Sequence, residues 1–509
     1  MTTRARSKKV TLVYPAEGPI EPFVPLGICS LGASLKEEGI DVGALDMRFC
    51  KLDDLRQAVE NSDFIGFSVM TVYLNQALKL ARFCKEVNHK TKIIFGGPHP
   101  SIFPQEILIN KEVDFVVIGE GEKAIVDLVE NFDQPFKVKG IAFRKNNKYF
   151  INPPREPIND LDTLPFPDRD LFPLKEISKK VPFWPCLTPY PQISMISTRG
   201  CPYNCLYCQP TLRAIFGAKT RRRSVYRTVD EIQYIYQKYH PASVFMADDL
   251  FTANKAWTIN VCNEIKNRGL QKKIIWECES RANTFDPDIA KALKESGCFM
   301  VWFGIESYSQ KTLNTLRKAT TVEQNIRAIE LCKKYKLLSL EQLMVGNPSE
   351  SFSDLQETLN VSCRVKADIT AVAITSPIPG TDLYRQLKKE KNLLVDDVSE
   401  LGSRFGEEEK FRLSHSIRER GFAYDKLKSK GEINLFFLLT RPCYRRIFFK
   451  RIKSHLNSGN LTAIFVDFGR IIYGLLPFFL VIKLRKYINF VKRLILENNM
   501  RLLDEKLEE

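Results

Sequence analysis

The 509-residue sequence predicts an α/β protein in three parts: a doubly wound parallel sheet, a partial six-stranded βα barrel, and a helical, basic tail. Three observations predict this. Short, nearly continuous apolar runs alternate with amphipathic stretches through residues 9–121, the mark of parallel strands buried on both faces. A proline-rich interval follows. Six further apolar runs then recur with helical patterns between them, and polar residues collect at their carboxyl ends.

The first strands are read as KVTLVYP (9–15), DVGALD (41–46), FIGFSVM (64–70), KIIFGG (92–97) and DFVVIGEG (114–121). Helical patterns such as LGICSLGASLKEEG and LNQALKLARFCKEVN lie between them. Flavodoxin- or Rossmann-like sheets of this kind bind ligands beyond the carboxyl ends of their strands. Those ends read SVMT, GGPHP and GEGE, so the candidate ligand residues are Ser68, Thr71, Gly96, Gly97, His99, Gly119, Glu120 and Gly121. The connector NPPREPINDLDTLPFPDRDLFP (152–173) favours extended chain over a core element. The barrel strands are expected at 192–200, 243–249, 273–280, 299–306, 338–346 and 369–380. Six are too few to close the usual eight, so the barrel is open or partial. The boundaries expected are 1–150 for the sheet domain, 151–185 for the linker, 186–400 for the barrel and 401–509 for the tail.

Hydrophobic content of 44% and charged content of 27% are ordinary for a globular protein. Of thirteen cysteines, eight stand singly in apolar stretches, as suits a reducing cytosol. No apolar h-region precedes Pro15, so no signal peptide is expected. The net charge of +16 is uneven: residues 431–493 hold twelve Lys/Arg against Glu432 and Asp467, which is +10. That directs attention to an anionic partner at the tail.

The densest chemistry is RGCPYNCLYCQP, where Cys201, Cys205 and Cys208 follow C-x3-C-x2-C at the end of the first barrel strand. A buried structural trio fits poorly with the loop markers Pro202 and Asn204. A zinc site wants a fourth ligand, and Cys186 is the near candidate. An iron–sulfur cluster held by three thiolates, with one iron left open, requires three.

C-x3-C-x2-C with Tyr207 before its last cysteine resembles the signature of the radical S-adenosylmethionine (SAM) superfamily. The resemblance implies a [4Fe-4S] cluster on Cys201, Cys205 and Cys208, whose open iron binds SAM and cleaves it to a 5′-deoxyadenosyl radical. It also implies SAM contacts at successive strand ends: Asp248 and Asp249, Glu279 and Arg281, Gly304 and Glu306, with Tyr207 shielding the cluster. Helix capping is the structural alternative for each carboxylate. The preceding sheet, with VPLGICSLGASLKEEG, GGPHP and IGEGE, resembles the cobalamin-binding domain of one branch of that superfamily. It implies cobalamin at Ser68, Thr71, Gly96, Gly97, His99, Gly119, Glu120 and Gly121. One departure is plain: the D-x-H-x-x-G cobalt-ligand pattern is absent, and YPAEGPIEPF and DMRFCK contain no histidine.

The function expected from the resemblance is methylation of an unactivated carbon in a small-molecule substrate, hydrophobic, lipid-like or a natural product. An external electron donor of the flavodoxin or ferredoxin type is expected with it. Cyclisation, oxidation or rearrangement without methyl transfer, RNA modification, and a non-catalytic iron–sulfur or zinc scaffold are the alternatives. In the tail, the apolar run Ile471–Ile482 spans 12 residues, short of the ~20 a membrane span needs. Flanking Lys and Arg predict an interfacial helix on the inner face of an anionic membrane; the alternative is a helical cap over the barrel. The run Lys219–Arg223 raises nucleic acid as a partner, but the chain lacks the small RNA-binding β-domain of tRNA-modifying relatives, so nucleic acid is not expected.

Overall fold

The computed structural model describes residues 8–16, 23–174, 177, 191–208 and 211–390. The expected helical tail, its membrane contact and Cys186 lie outside the described residues.

Seven strands form the first sheet: β1 (Lys9–Tyr14), β2 (Asp41–Asp46), β3 (Phe64–Ser68), β4 (Lys92–Gly96), β5 (Phe115–Val117), β6 (Ile141–Lys145) and β7 (Lys148–Ile151). Their order is β2-β1-β3-β4-β5-β6-β7. The first five run parallel, with register Val10↔Phe64 and Phe64↔Lys92. β6 and β7 are added antiparallel at one edge. This hairpin is not among the strands expected from sequence. Its signal is the Asn146-Asn147 pair, whose φ angles of 50° and 58° are those of a type I′ turn. The helices expected at 26–39 and 74–88 form as α1 (Leu26–Glu37) and Leu74–Val87. Apolar residues on both sheet faces, such as Val10 and Leu12 on one and Val13 and Ile65 on the other, are covered by separate clusters. The domain is therefore doubly wound.

The six expected barrel strands form β8 (Gln192–Met195), β11 (Ser243–Met246), β12 (Ile275–Ser280), β13 (Cys298–Glu306), β14 (Leu338–Val345) and β15 (Ile369–Ile374). They make one parallel sheet in the order β15-β14-β13-β12-β11-β8. A two-stranded piece, β9 (Thr198–Arg199) with β10 (Arg221–Arg222), stands at the end of β8. Alternate residues, including Val244, Met246, Trp276, Cys278, Val301, Phe303 and Ile305, join one apolar core with the covering helices. The residues between them face the barrel interior, which is why Glu277, Glu279, Trp302 and Glu306 share one space.

The proline-rich connector is more than a spacer. Arg169 is fully buried and donates to Glu231 at 2.8 Å, with both side chains 0% exposed, and to the Ser194 carbonyl at 2.9 Å. The Asp168 amide meanwhile donates to the Cys29 carbonyl of α1 at 3.0 Å, and Lys36 pairs with Asp168 at 2.6 Å. One short segment thus locks onto both domains and brings the carboxyl ends of the two sheets together.

Candidate active site

The cysteine loop begins where β8 ends, and one carboxylate holds its start. Asp248 Oδ1 accepts from the Ser197 amide at 2.8 Å and from the Thr198 amide at 2.5 Å. Both hydroxyls donate to it as well, at 3.1 and 2.8 Å. This explains why the expected strand 192–200 breaks after Met195: the Ser197 and Thr198 amides turn to Asp248. Next comes Gly200 at φ +90°, where a Cβ would lie 2.6 Å from the Lys219 carbonyl oxygen, so only glycine fits. Beyond it, the Leu206 amide donates to Leu316 O at 2.9 Å while Leu206 O accepts from Leu383 N at 3.0 Å. The loop is therefore moored at both ends to the barrel rim.

Cys201, Cys205 and Cys208 are partly exposed free thiols. Burial pushes the Cys201 and Cys208 thiols up, Cys208 to about 12, and the neighbouring sulfurs add to the rise. Crowded thiols of this kind deprotonate together only against strong positive charge, as a cluster of irons provides. Among the described residues no three His, Cys, Asp or Glu side chains converge on a single-ion position. In a four-iron cluster each thiolate binds its own iron, and three positions suffice.

Around the loop sit residues that stabilise a charged group. Arg281 stacks 3.7 Å above the Tyr203 ring and points Nη1 at Cys205 Sγ, 3.4 Å away. Its Nη2 donates to the Lys318 carbonyl, and its Nε to Asn283 Oδ1. Arg281 thus belongs to the cysteine loop itself. Tyr207 donates its hydroxyl to Glu306 Oε1 at 2.7 Å, and Lys318 Nζ donates to the same oxygen at 2.7 Å. Glu306 ends β13 at φ +62°, a conformation a non-glycine residue holds only when its surroundings impose it. The buried Lys318–Glu306 pair fills the space over Gly304, where a Cβ would lie 2.7 Å from Glu306 Oε1 and 2.9 Å from Lys318 Nζ. Lys318 carries no signal in the sequence that would single it out.

Asp249 and Glu279 are different. Neither side chain makes a hydrogen bond or ion pair among the described residues. Burial pushes the Glu279 carboxyl up to about 7, with repulsion from Asp249 and Asp248 adding to the rise and Lys318 opposing it. Asp249, exposed at the cleft, is raised in the same direction by partial desolvation and by Asp248. Asp248 itself is raised to about 6 by burial in spite of its hydrogen bonds. Two carboxylates without a hydrogen-bonded partner at the barrel mouth can receive a cationic ligand, and the ammonium and sulfonium of SAM have that charge. Of the expected SAM residues, Asp249 and Glu279 are open to a ligand. Asp248, Arg281 and Glu306 are engaged in building the site.

A cleft of about 340 Å³ opens between the domains. Gly96, Gly97, Gly119, Glu120 and Gly121 line one side, with Ser68 at the end of β3. Ile196, Leu212, Ile215, Phe216 and Asp249 line the barrel side. A Cβ on Gly27 or Gly119 would meet nothing within 4 Å, so these glycines leave the floor clear for a large ligand, as cobalamin requires. His99 stands apart from this wall: it is fully buried, its Nδ1 lies 3.1 Å from Thr71 Oγ1, and it packs 5.2 Å from the Phe103 ring. Burial lowers its pKa to about 4, and its Nε2 lacks a hydrogen-bond partner. Across the cleft floor, Arg199 donates to Glu120 at 2.7 Å and to Glu122 at 2.5 Å, while Arg221 donates to Glu120 at 2.8 Å. From the basic run 219–223, Arg221 and Arg223 are thus turned inward, Arg223 toward the Leu164 and Pro165 carbonyls.

Comparison with known proteins agrees with this geometry. Residues 21–129 match the B12 binding domain family and residues 195–361 the radical SAM superfamily. An uncharacterised methyltransferase of Pyrococcus horikoshii is 33% identical over 393 residues, covering 74% of this chain and 82% of its own. The anaerobic magnesium-protoporphyrin IX monomethyl ester cyclase of Rubrivivax gelatinosus is 28% identical over 352 residues, covering 66% of this chain and 60% of its own. In fold, the radical SAM methyltransferase TsrM of Kitasatospora setae, solved with cobalamin and a [4Fe-4S] cluster, superposes with a TM-score of 0.63 at 18% identity. It covers 75% of this chain and 78% of TsrM. The two family matches and the Pyrococcus relative show a radical SAM enzyme that uses a [4Fe-4S] cluster, SAM and cobalamin, and the chain belongs to the cobalamin-binding branch of the radical SAM superfamily.

Proposed function

We propose that this enzyme methylates an unactivated carbon of a hydrophobic small molecule, lipid-like or a natural product. The observation that carries the reading is the adjacency of the two sites: Arg199 lines the cleft two residues before Cys201. Bound SAM and cluster supply hydrogen abstraction from carbon, and bound cobalamin supplies a methyl carrier. The chain's own residues set the conditions. Asp249 and Glu279 hold a cation at the barrel mouth, and Ile196, Leu212, Ile215 and Phe216 form an apolar wall that excludes water from the space between. That wall supports a hydrophobic substrate. Methyltransferase relatives, including the Pyrococcus protein, support methyl transfer. The cyclase relative supports a second reading, radical ring closure without methyl transfer.

Anaerobic turnover with deuterated-methyl SAM separates the two. Methyl transfer yields 5′-deoxyadenosine and methionine, with S-adenosylhomocysteine and a product carrying the label, whereas ring closure yields 5′-deoxyadenosine, methionine and an unlabelled product, without S-adenosylhomocysteine. A Cys205→Ala variant that still formed 5′-deoxyadenosine would count against both. We further propose a flavodoxin- or ferredoxin-type electron donor and contact of the basic tail with an anionic membrane. Flotation with anionic liposomes at low salt tests the contact; protein left at the bottom of the gradient overturns it. Among the described residues no helix is long and apolar enough to cross a membrane.

A further inference from the structure

The segment Ser197–Cys201 is a strut between the two cofactor sites, and the geometry points to Arg199 as a positioning residue that couples them. At its barrel end, Ser197 and Thr198 are fastened to Asp248 by both amides and both hydroxyls. At its outer end, Gly200 packs against the 217–219 turn, with the Lys219 and Gly217 carbonyl oxygens 2.6 and 3.0 Å from where a Cβ would be. Between them, Arg199 Nη1 donates to Glu120 Oε1 at 2.7 Å and Glu122 Oε2 at 3.3 Å, and Nη2 donates to Glu122 Oε1 at 2.5 Å.

The carboxylates are not loose surface groups. Glu120 Oε2 also accepts from Arg221 at 2.8 Å and from the Ile158 amide at 2.8 Å, and Glu122 Oε1 accepts from Ser30 of α1 at 2.8 Å. Side-chain exposures across the network run from 3% to 14%, so solvent screens it little. Both glutamates flank Gly121 in the cleft floor. A shift of the GEGE turn therefore reaches Cys201 through one planar guanidinium and a short stretch of chain, and the reverse path is the same. Binding coupled in this way is reciprocal: the cluster strengthens cobalamin binding by the factor with which cobalamin strengthens retention of the cluster.

This inference rests on the chain holding both cofactors, and because it needs no substrate, failure of methyl transfer would leave it standing. The test is hydroxocobalamin titration of the full chain under anaerobic conditions, followed by visible absorbance, for cluster-reconstituted and chelator-treated, iron-free protein. The wild type should bind hydroxocobalamin about fivefold or more tightly with the cluster in place. In Arg199→Gln that ratio should fall to within twofold of one, while Arg199→Lys, which keeps one charged hydrogen bond, should restore part of it. Were Arg199 merely a direct ligand of cobalamin, its replacement would weaken both forms alike and leave the ratio untouched. If Arg199→Gln does not fold, Glu122→Gln cuts the same link from the other side with the same expected result. A wild-type ratio of one, or a wild-type ratio retained in the folded variant, overturns the assignment.

Discussion

SAM affinity should fall as the medium is made mildly acidic, because the two open carboxylates must be ionised to receive a cation. Burial and its acidic neighbours hold Glu279 near pH 7 in the free protein, Asp249 at the exposed cleft edge is raised in the same direction, and a bound ammonium or sulfonium favours their charged forms. For one carboxylate titrating near 7, the protonated excess to be removed is a factor of about 11 at pH 6 and about 1.3 at pH 7.5, a roughly eightfold change in Kd, or about 1.2 kcal/mol. The two groups lie close enough to titrate as a pair, so a steeper dependence means that both must ionise. The window stops at pH 7.5 because an α-amino group loses its own proton near about 7.7–8.0. Isothermal titration calorimetry of cluster-loaded protein, in two buffers of different ionisation enthalpy, reads both Kd and the protons released. Net proton release near pH 6.5 is expected, and Glu279→Gln should reduce it. A Kd constant between pH 6 and 7.5, with no proton exchange, would refute the role given to these carboxylates. The sign for stability is opposite: carboxyls raised above their unfolded values favour the ligand-free fold below about pH 4, and that contribution is lost as pH rises through about 7.

Asp248→Asn should act on the loop. It replaces an acceptor of two amides with a group that can also present N–H, and should cost about 2–4 kcal/mol in urea unfolding and lower the iron bound per chain. Full iron content would sink that role. Arg169→Met leaves Glu231 buried and unpaired and should destabilise by about 3–5 kcal/mol, read as a loss in urea midpoint. Unchanged stability would mean that the connector is not a structural seam. Gly304→Ala presses a methyl group onto the Lys318–Glu306 pair, and should weaken SAM binding about tenfold at a cost to stability of about 1–3 kcal/mol. Wild-type SAM affinity would show that the pair has room to move.

The parts of this protein that are local in the chain are legible in the sequence. The parallel strands, the two long helices of the first domain and the three cysteines declare themselves within windows of a few to a dozen residues. Periodicity and spacing report such windows directly. The open carboxylates at strand ends are legible for the same reason, since a barrel places strand ends together whatever the intervening sequence. Which carboxylate does what is not. Asp248 and Asp249 are adjacent, yet one ends in a ring of amides and hydroxyls and the other faces the cleft. Successive residues point in different directions once a strand has ended, and no pattern in the chain marks which will find a partner.

By itself the sequence determined the α/β architecture of the sheet domain and the partial barrel, the three-cysteine spacing and the glycine-rich strand ends. Each depends on short-range patterning that any compact fold must respect. Only the tertiary structure decided the electrostatic frame: Lys318 reaching Tyr207 across 111 residues, Arg199 reaching Glu122 across 77, and the buried Arg169–Glu231 pair across 62. Charges pair by proximity in space, and chain separation carries no information about it until the sheets have closed.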